Sequence, residues 1–194
     1  MNNQKRPCQH WDIFCRVIDN FGDAGVCWRL AADLVSRGDQ VRLFIDQPEI
    51  LPKLIGNSST ASLVDIHVWP EDESCFTADE IADIVIEAFA CDIPTGYLQA
   101  MNEVSKPLVW INLEYLSAES WVEDHHGMPS PHPRLALTKH FYFPGFTSRT
   151  GGLLREPALT ALLQSGESHQ GTDLTTSLRI FLFSYEQPAI TAWL

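Results

Sequence analysis

The sequence has no excess of basic residues, no paired-cysteine motif, no complete G-x-G-x-x-G triplet and no apolar run of membrane-spanning length. Each absence closes off a class of function. With 13 Lys and Arg against 25 Asp and Glu, the formal net charge is -12, which argues against a protein that grips a phosphate backbone, since nucleic-acid partners select basic patches. The 5 cysteines (Cys8, Cys15, Cys27, Cys75, Cys91) are odd in number and contain no C-x-x-C pair. Cys15 and Cys27 lie in apolar periodic segments and read as buried free thiols, so a reduced, cytoplasmic compartment is expected. The first ten residues, MNNQKRPCQH, lack the hydrophobic segment of a secretory signal. No membrane and no nucleic-acid partner are expected.

What is present is an ordinary globular composition, 45% apolar and 20% charged over 194 residues, enough for one comfortable domain or two small ones. The most informative stretch is Trp11–Leu30, WDIFCRVIDNFGDAGVCWRL. It reads as a hydrophobic strand, a tight turn with two carboxylates, Asp19 and Asp23, and then an amphipathic helix. Gly22 and Gly25 are expected to supply unusual turn dihedrals. The helix should begin near Asp23, because Cys27, Leu30, Ala31, Leu34 and Val35 repeat at helical spacing, and end at Gly38. Such a turn lies at the carboxyl end of a strand, where open α/β sheets bind ligands. Two acids there can orient a nucleophile or take its proton. Taken alone, the pattern favours Asp23 as a helix cap and Asp19 bonded to the turn backbone over a catalytic pair.

Further strands are expected at Val41–Ile45, Leu63–Trp69, Ile84–Phe89 and Leu108–Leu113. Helices are expected over Pro94–Val104, Ser117–Asp124 and Pro157–Leu163, with a short helix or turn at Pro48–Ile55. Short apolar runs alternating with helical patterns indicate an α/β fold with a parallel sheet covered on both faces. Asp124–Pro133 is rich in His and Pro and reads as an irregular loop, and Pro144-Gly145 should interrupt any strand in Phe141–Phe146. Gln164–Ser177 is polar and aperiodic, like a linker. Leu178–Phe183 then reads as a new strand followed by an incipient helix from Pro188, too little to bury a core of its own.

The segment Asp19-Asn20-Phe21-Gly22-Asp23-Ala24-Gly25-Val26-Cys27-Trp28-Arg29-Leu30-Ala31 resembles the signature of the bacterial elongation factor P arginine rhamnosyltransferases. The likeness continues through Val109–Pro133, Lys139–Glu156 and Ile180–Ala189. It implies a GT-B architecture, in which two Rossmann-like domains face each other across a cleft. The expected division is an acceptor-binding domain over 1–163, a linker over 164–177 and the start of a donor-binding domain over 178–194. Members of that family are longer, so the chain is expected to be an amino-terminal half, cut shortly after its second domain begins and inactive alone.

The resemblance implies dTDP-β-L-rhamnose as donor, an arginine of elongation factor P as acceptor, and inversion at the anomeric carbon. It also implies Asp19 and Asp23 as the catalytic pair, one as base and the other as orienting partner, with Asp23 the preferred base. Phe183 and Tyr185 fall where the family stacks on the thymine base, Phe21 and Gly22 are expected to approach the sugar and diphosphate, and Asn20 is expected to bind substrate beside them. Glu114, ending the fifth strand beside Asn112 and Tyr115, can add negative charge for an arginine acceptor or be an ordinary strand-end acid. No cofactor and no metal are expected. The sequence holds no D-x-D motif, and His125, His126, His132 and His140 are spread by prolines without a completing Cys or acid. Two other readings stay open. One is another nucleotide-binding Rossmann module such as a dehydrogenase fragment, with Asp46 about 20 residues beyond the glycines. The other is a non-catalytic module docking a partner through its acidic rim.

Overall fold

The computed structural model describes residues 6–18, 21–55 and 61–165. Contacts divide the chain into two compact units, Met1–Arg155 and Glu156–Leu194. The first is an α/β unit. Its strands are β1 (His10–Cys15), β2 (Gln40–Ile45), β3 (Asp65–Val68), β4 (Ile84–Ala88), β5 (Val109–Leu113), β6 (Pro129–Pro131) and β7 (Thr138–Tyr142). They form one sheet in the order β3-β2-β1-β4-β5-β7-β6. Every pairing is parallel except β6 with β7. Chain order runs outward from β1 to β3 on one side and through β4 and β5 on the other, so the topology switches between β1 and β4, where doubly wound sheets open a crevice at the carboxyl edge.

The helices are α1 (Gly22–Ser36), α2 (Leu51–Ile55), α3 (Thr95–Glu103), α4 (Val122–His125) and, in the second unit, α5 (Pro157–Ser165). Helix α1 starts and stops where its sequence indicates. Its last turn closes on Gly38, whose φ of +92° lets Gly38 and Asp39 donate back to Val35 and Leu34 carbonyls. Strand periodicity then sorts the core. Ile13, Cys15, Leu43, Ile45, Ile86, Ala88 and Leu113 lie in one cluster with Ala24, Cys27, Trp28 and Ala31 of α1. Phe14, Phe44, Val85 and Trp110 point the other way, into a cluster with Tyr97, Ala100 and Met101 of α3. Both faces are covered, as expected of a parallel sheet.

Several boundaries differ from the sequence reading. β1 ends at Cys15, and Val17 and Ile18 leave the sheet although both are apolar. Asp124–Pro133 is not all loop, because Pro129–Pro131 forms the antiparallel edge strand β6. Prolines are tolerated on an edge. The bonds around β6 come from its neighbours: Gly127 donates to the Phe141 carbonyl, Phe141 to Met128 and His132 to Leu137. The helix expected over Ser117–Asp124 shrinks to the single turn α4. Helix α5 runs through Ser165, past the expected linker start. The rest of that linker and the strand expected at Leu178–Phe183 lie outside the described residues. Among the described residues, no helix is long and apolar enough to cross a membrane.

Candidate active site at the carboxyl edge

Three loops converge where β1, β4 and β5 end. The loop after β1 is pinned from several sides. Val17 donates its N–H to Asp46 Oδ1 at 2.9 Å, Gln47 Nε2 donates to the Val17 carbonyl at 3.3 Å, and the Arg16 guanidinium lies over the Trp69 ring. Asp46 therefore serves the loop, a structural use that the dehydrogenase reading did not foresee.

Asp23 sits in the first turn of α1 and is only 1% exposed. Its Oδ2 accepts the N–H of Ile18 at 2.8 Å, and its Oδ1 accepts the hydroxyl of Tyr115 at 3.0 Å. The helix cap is Phe21, which makes no side-chain capping bond. Asp23 is thus not the cap: its carboxylate turns back onto the β1 loop and across to the β5 loop. The turn glycines also differ from expectation. Neither Gly22 nor Gly25 has positive φ, and both lie inside α1. A Cβ placed on Gly25 would meet no atom within 4 Å, so the helix surface there is open. Among the described residues, the left-handed positions without glycine follow β4: Phe89, Ala90 and Asp92, with φ of 55°, 52° and 56°.

Phe21 is half-exposed, with the Lys53 ammonium over its ring at 5.7 Å. Gly22 is exposed beside it. Glu114 is partly buried and accepts from Asn112 Nδ2 at 2.6 Å. The structure therefore brings Phe21, Gly22 and Asp23 at the start of α1, and Glu114 and Tyr115 after β5, to one edge of the sheet. Asp19, Asn20, Phe183 and Tyr185 lie outside the described residues.

Three of the histidines spend a ring nitrogen on backbone groups. His126 Nδ1 accepts from Phe143, His132 Nδ1 accepts from Leu135, and His125 Nδ1 pairs with the Trp121 carbonyl. Among the described residues, no cluster of three or more His, Cys, Asp or Glu is arranged for a metal. Cys15, Cys27 and Cys91 are buried free thiols. Burial, with Glu87 nearby, pushes the Cys91 thiol up to about 12, so it stays protonated and unreactive. A cavity of about 500 Å³ between the 72–76 loop and α3 is lined by neither Asp23, Glu114 nor Tyr115.

Sequence reasoning passed over two groups. Tyr115 reads in the sequence as part of a strand end, and nothing local signals its reach to Asp23, 92 positions away. Glu87, buried in β4, pairs with Lys139 of β7 at 2.9 Å. An acid within the apolar run IVIEAF was the available signal.

Fold and site together define a Rossmann-like α/β domain with a buried carboxylate at its topological switch point. The chain belongs to the family described as Elongation-Factor P (EF-P) rhamnosyltransferase EarP, whose model matches residues 11–194. It is 46% identical over 202 residues to the protein-arginine rhamnosyltransferase of Pseudomonas putida, covering 95% of this chain and 52% of the relative. The Pseudomonas aeruginosa protein of the same name is 40% identical, with coverages of 95% and 53%. That of Neisseria meningitidis serogroup B is 46% identical over 149 residues, with coverages of 74% and 38%. The chain spans about half the length of the Pseudomonas relatives it matches.

Proposed function

We propose that this chain is the amino-terminal half of a protein-arginine rhamnosyltransferase of GT-B architecture, which moves rhamnose from dTDP-β-L-rhamnose to an arginine of elongation factor P with inversion. The proposed division is an acceptor-binding domain over 1–163, a linker over 164–177 and the start of the donor-binding domain over 178–194. Family membership and the relatives' names support the reaction class. The observation that carries the reading is Asp23: a buried carboxylate at the carboxyl edge, with each oxygen engaged by a donor from a different loop.

The acceptor's chemistry explains why such a group is needed. A guanidinium has a pKa above about 12 and delocalised nitrogen lone pairs, so it is a poor nucleophile when free. Carboxylates grip it through paired N–H···O bonds and hold one nitrogen against the anomeric carbon. In a single displacement the N–C bond forms, the bond from C1 to the dTDP oxygen breaks, and the nitrogen's proton passes to a carboxylate. Asp23 is the proposed base and Asp19 the orienting partner. Glu114 adds negative charge for the acceptor, Phe21 and Gly22 face the sugar and diphosphate, and Asn20 binds substrate beside them. Phe183 and Tyr185 stack on the thymine. The leaving diphosphate is met by N–H groups and side-chain cations, without a metal or cofactor, and the setting is cytoplasmic.

Asp23→Asn keeps the shape of the side chain and removes its charge. In the complete protein it should lower arginine rhamnosylation of elongation factor P by about 100-fold or more, read by intact-protein mass spectrometry. Wild-type turnover would remove Asp23 from the chemistry.

A further inference from the structure

Tyr115 stands two positions beyond β5 and is 48% exposed, so burial alone does little to hold it. Its ring is nonetheless seated. It stacks on Phe89 with centroids 4.2 Å apart and planes at 14°. Phe89 in turn occupies the left-handed region, as do Ala90 and Asp92. Its N–H donates to the Leu113 carbonyl at 2.7 Å, joining the corner after β4 to the end of β5. Left-handed backbone is unfavourable for a residue that carries a Cβ. Three such residues in one short corner persist only where the surroundings over-determine them, which is common beside functional groups. This arrangement directs the Tyr115 hydroxyl onto Asp23 Oδ1, at 3.0 Å.

We infer that Tyr115 is a positioning residue for Asp23, with the strained corner after β4 holding Phe89 as the seat for its ring. The inference rests on the proposed role of Asp23. Asp23 Oδ2 is held by the backbone N–H of Ile18, which no side-chain substitution removes. The Tyr115 bond fixes the second oxygen, and so the plane in which the carboxylate meets an incoming guanidinium. Loss of that bond leaves Asp23 in place with Oδ1 no longer directed by the tyrosine, which lowers the rate of the step and not the affinity for the acceptor.

The test compares Asp23→Asn, Tyr115→Phe, Phe89→Leu and the Tyr115→Phe/Phe89→Leu double variant in the complete protein. Steady-state rhamnosylation of elongation factor P and thermal unfolding are measured for each. Tyr115→Phe retains the stacked ring and loses only the hydroxyl. It should lower kcat about tenfold or more, the scale of one hydrogen bond to a charged group, with KM and melting temperature unchanged. Phe89→Leu should lower kcat less, and the double variant should be no slower than Tyr115→Phe, because both changes act through the same bond. Phe89→Tyr, which keeps a stacking ring, should restore kcat. A purely structural role would instead lower the melting temperature and leave kcat alone. Wild-type kcat in Tyr115→Phe, or a change confined to KM, overturns the inference. If Asp23→Asn is inactive while Tyr115→Phe runs at full speed, only the positioning role falls. If Asp23→Asn itself turns over normally, the catalytic reading of the edge falls and the positioning role with it.

Discussion

The sheet face beneath α1 is apolar from β2 to β5, with Ile13, Leu43, Ile45, Ile86 and Ala88 in continuous contact, whereas the face beneath α3 mixes aromatic rings with buried charge. There Phe14 and Phe44 stack at 4.6 Å, and Tyr97 meets Phe14 edge-on at 4.7 Å. Among these rings Asp12, buried in β1, receives Arg42 through two bonds of 2.7 and 2.6 Å, together with the Tyr97 hydroxyl. Burial first, and then the neighbouring Asp12 charge, raise the Tyr97 phenol well above its ordinary value, so it remains a donor. Farther along the same face, Glu87 holds Lys139, whose ammonium also lies over the Trp110 ring. The apolar face is held by contact area and has no preferred direction. The polar face adds directional pairs between β1 and β2 and between β4 and β7. Damage should therefore scale with lost volume on one face and with stranded charge on the other.

Breaking one partner of the Glu87–Lys139 pair should have the largest effect. Lys139→Met leaves the Glu87 carboxylate buried without its countercharge and should cost about 3–5 kcal/mol in urea unfolding. Removing both charges in a Glu87→Leu/Lys139→Met variant should recover most of that loss, because the desolvation penalty leaves with the pair. If the double variant is as unstable as the single one, the pair contributes more than mutual neutralisation, and the contrast between faces is sharper than drawn.

Next comes the apolar face. Leu43→Ala, at a site with no exposed surface, should cost about 2–5 kcal/mol, according to how far the cavity collapses. Urea unfolding reads this directly. A loss below that of a surface substitution would mean that the α1 face is loosely packed.

The smallest effect should come from a charge at the rim. Asp83 accepts from Lys106 and from the backbone N–H of His10, and these bonds, Lys106 first, lower its carboxyl below the usual range. A depressed carboxyl stabilises the fold above its unfolded value, and that contribution is lost as the pH falls through the folded value. Asp83→Asn should therefore be slightly less stable than the parent near neutrality, with the difference vanishing as the solution is acidified below the carboxylate range. Melting temperatures across an acid series measure it. A difference that persists in strong acid would assign the effect to shape and not to charge.

Much of this architecture is legible without coordinates. The strands β2, β4 and β5 and the helices α1, α3 and α5 carry their own periodicity and stop signals, and Asp23 is conspicuous as an acid in a strand–turn–helix corner. The edge strand β6 was hidden because prolines on both sides of Ser130 argue against a strand. Its pairing depends on donors outside it, on Gly127, Phe141 and His132. The left-handed corner was hidden for a related reason: Phe89 and Ala90 carry no glycine or asparagine mark, and their backbone follows from how β4 hands over to its neighbours.

The sequence by itself determined the alternation of apolar strands and amphipathic helices, the two-faced core and the placing of Asp23 after the first strand. These are local properties, set by side-chain period and turn chemistry within a few residues. Only the tertiary structure decided that Asp23 turns away from its own helix end to receive Ile18 and Tyr115, that Phe89 seats the tyrosine ring, and that Glu87 finds Lys139 two strands away. Those contacts join residues 5 to 92 positions apart. The longer ones exist only because strand order in the sheet differs from strand order in the chain, which brings the ends of β1, β4 and β5 side by side.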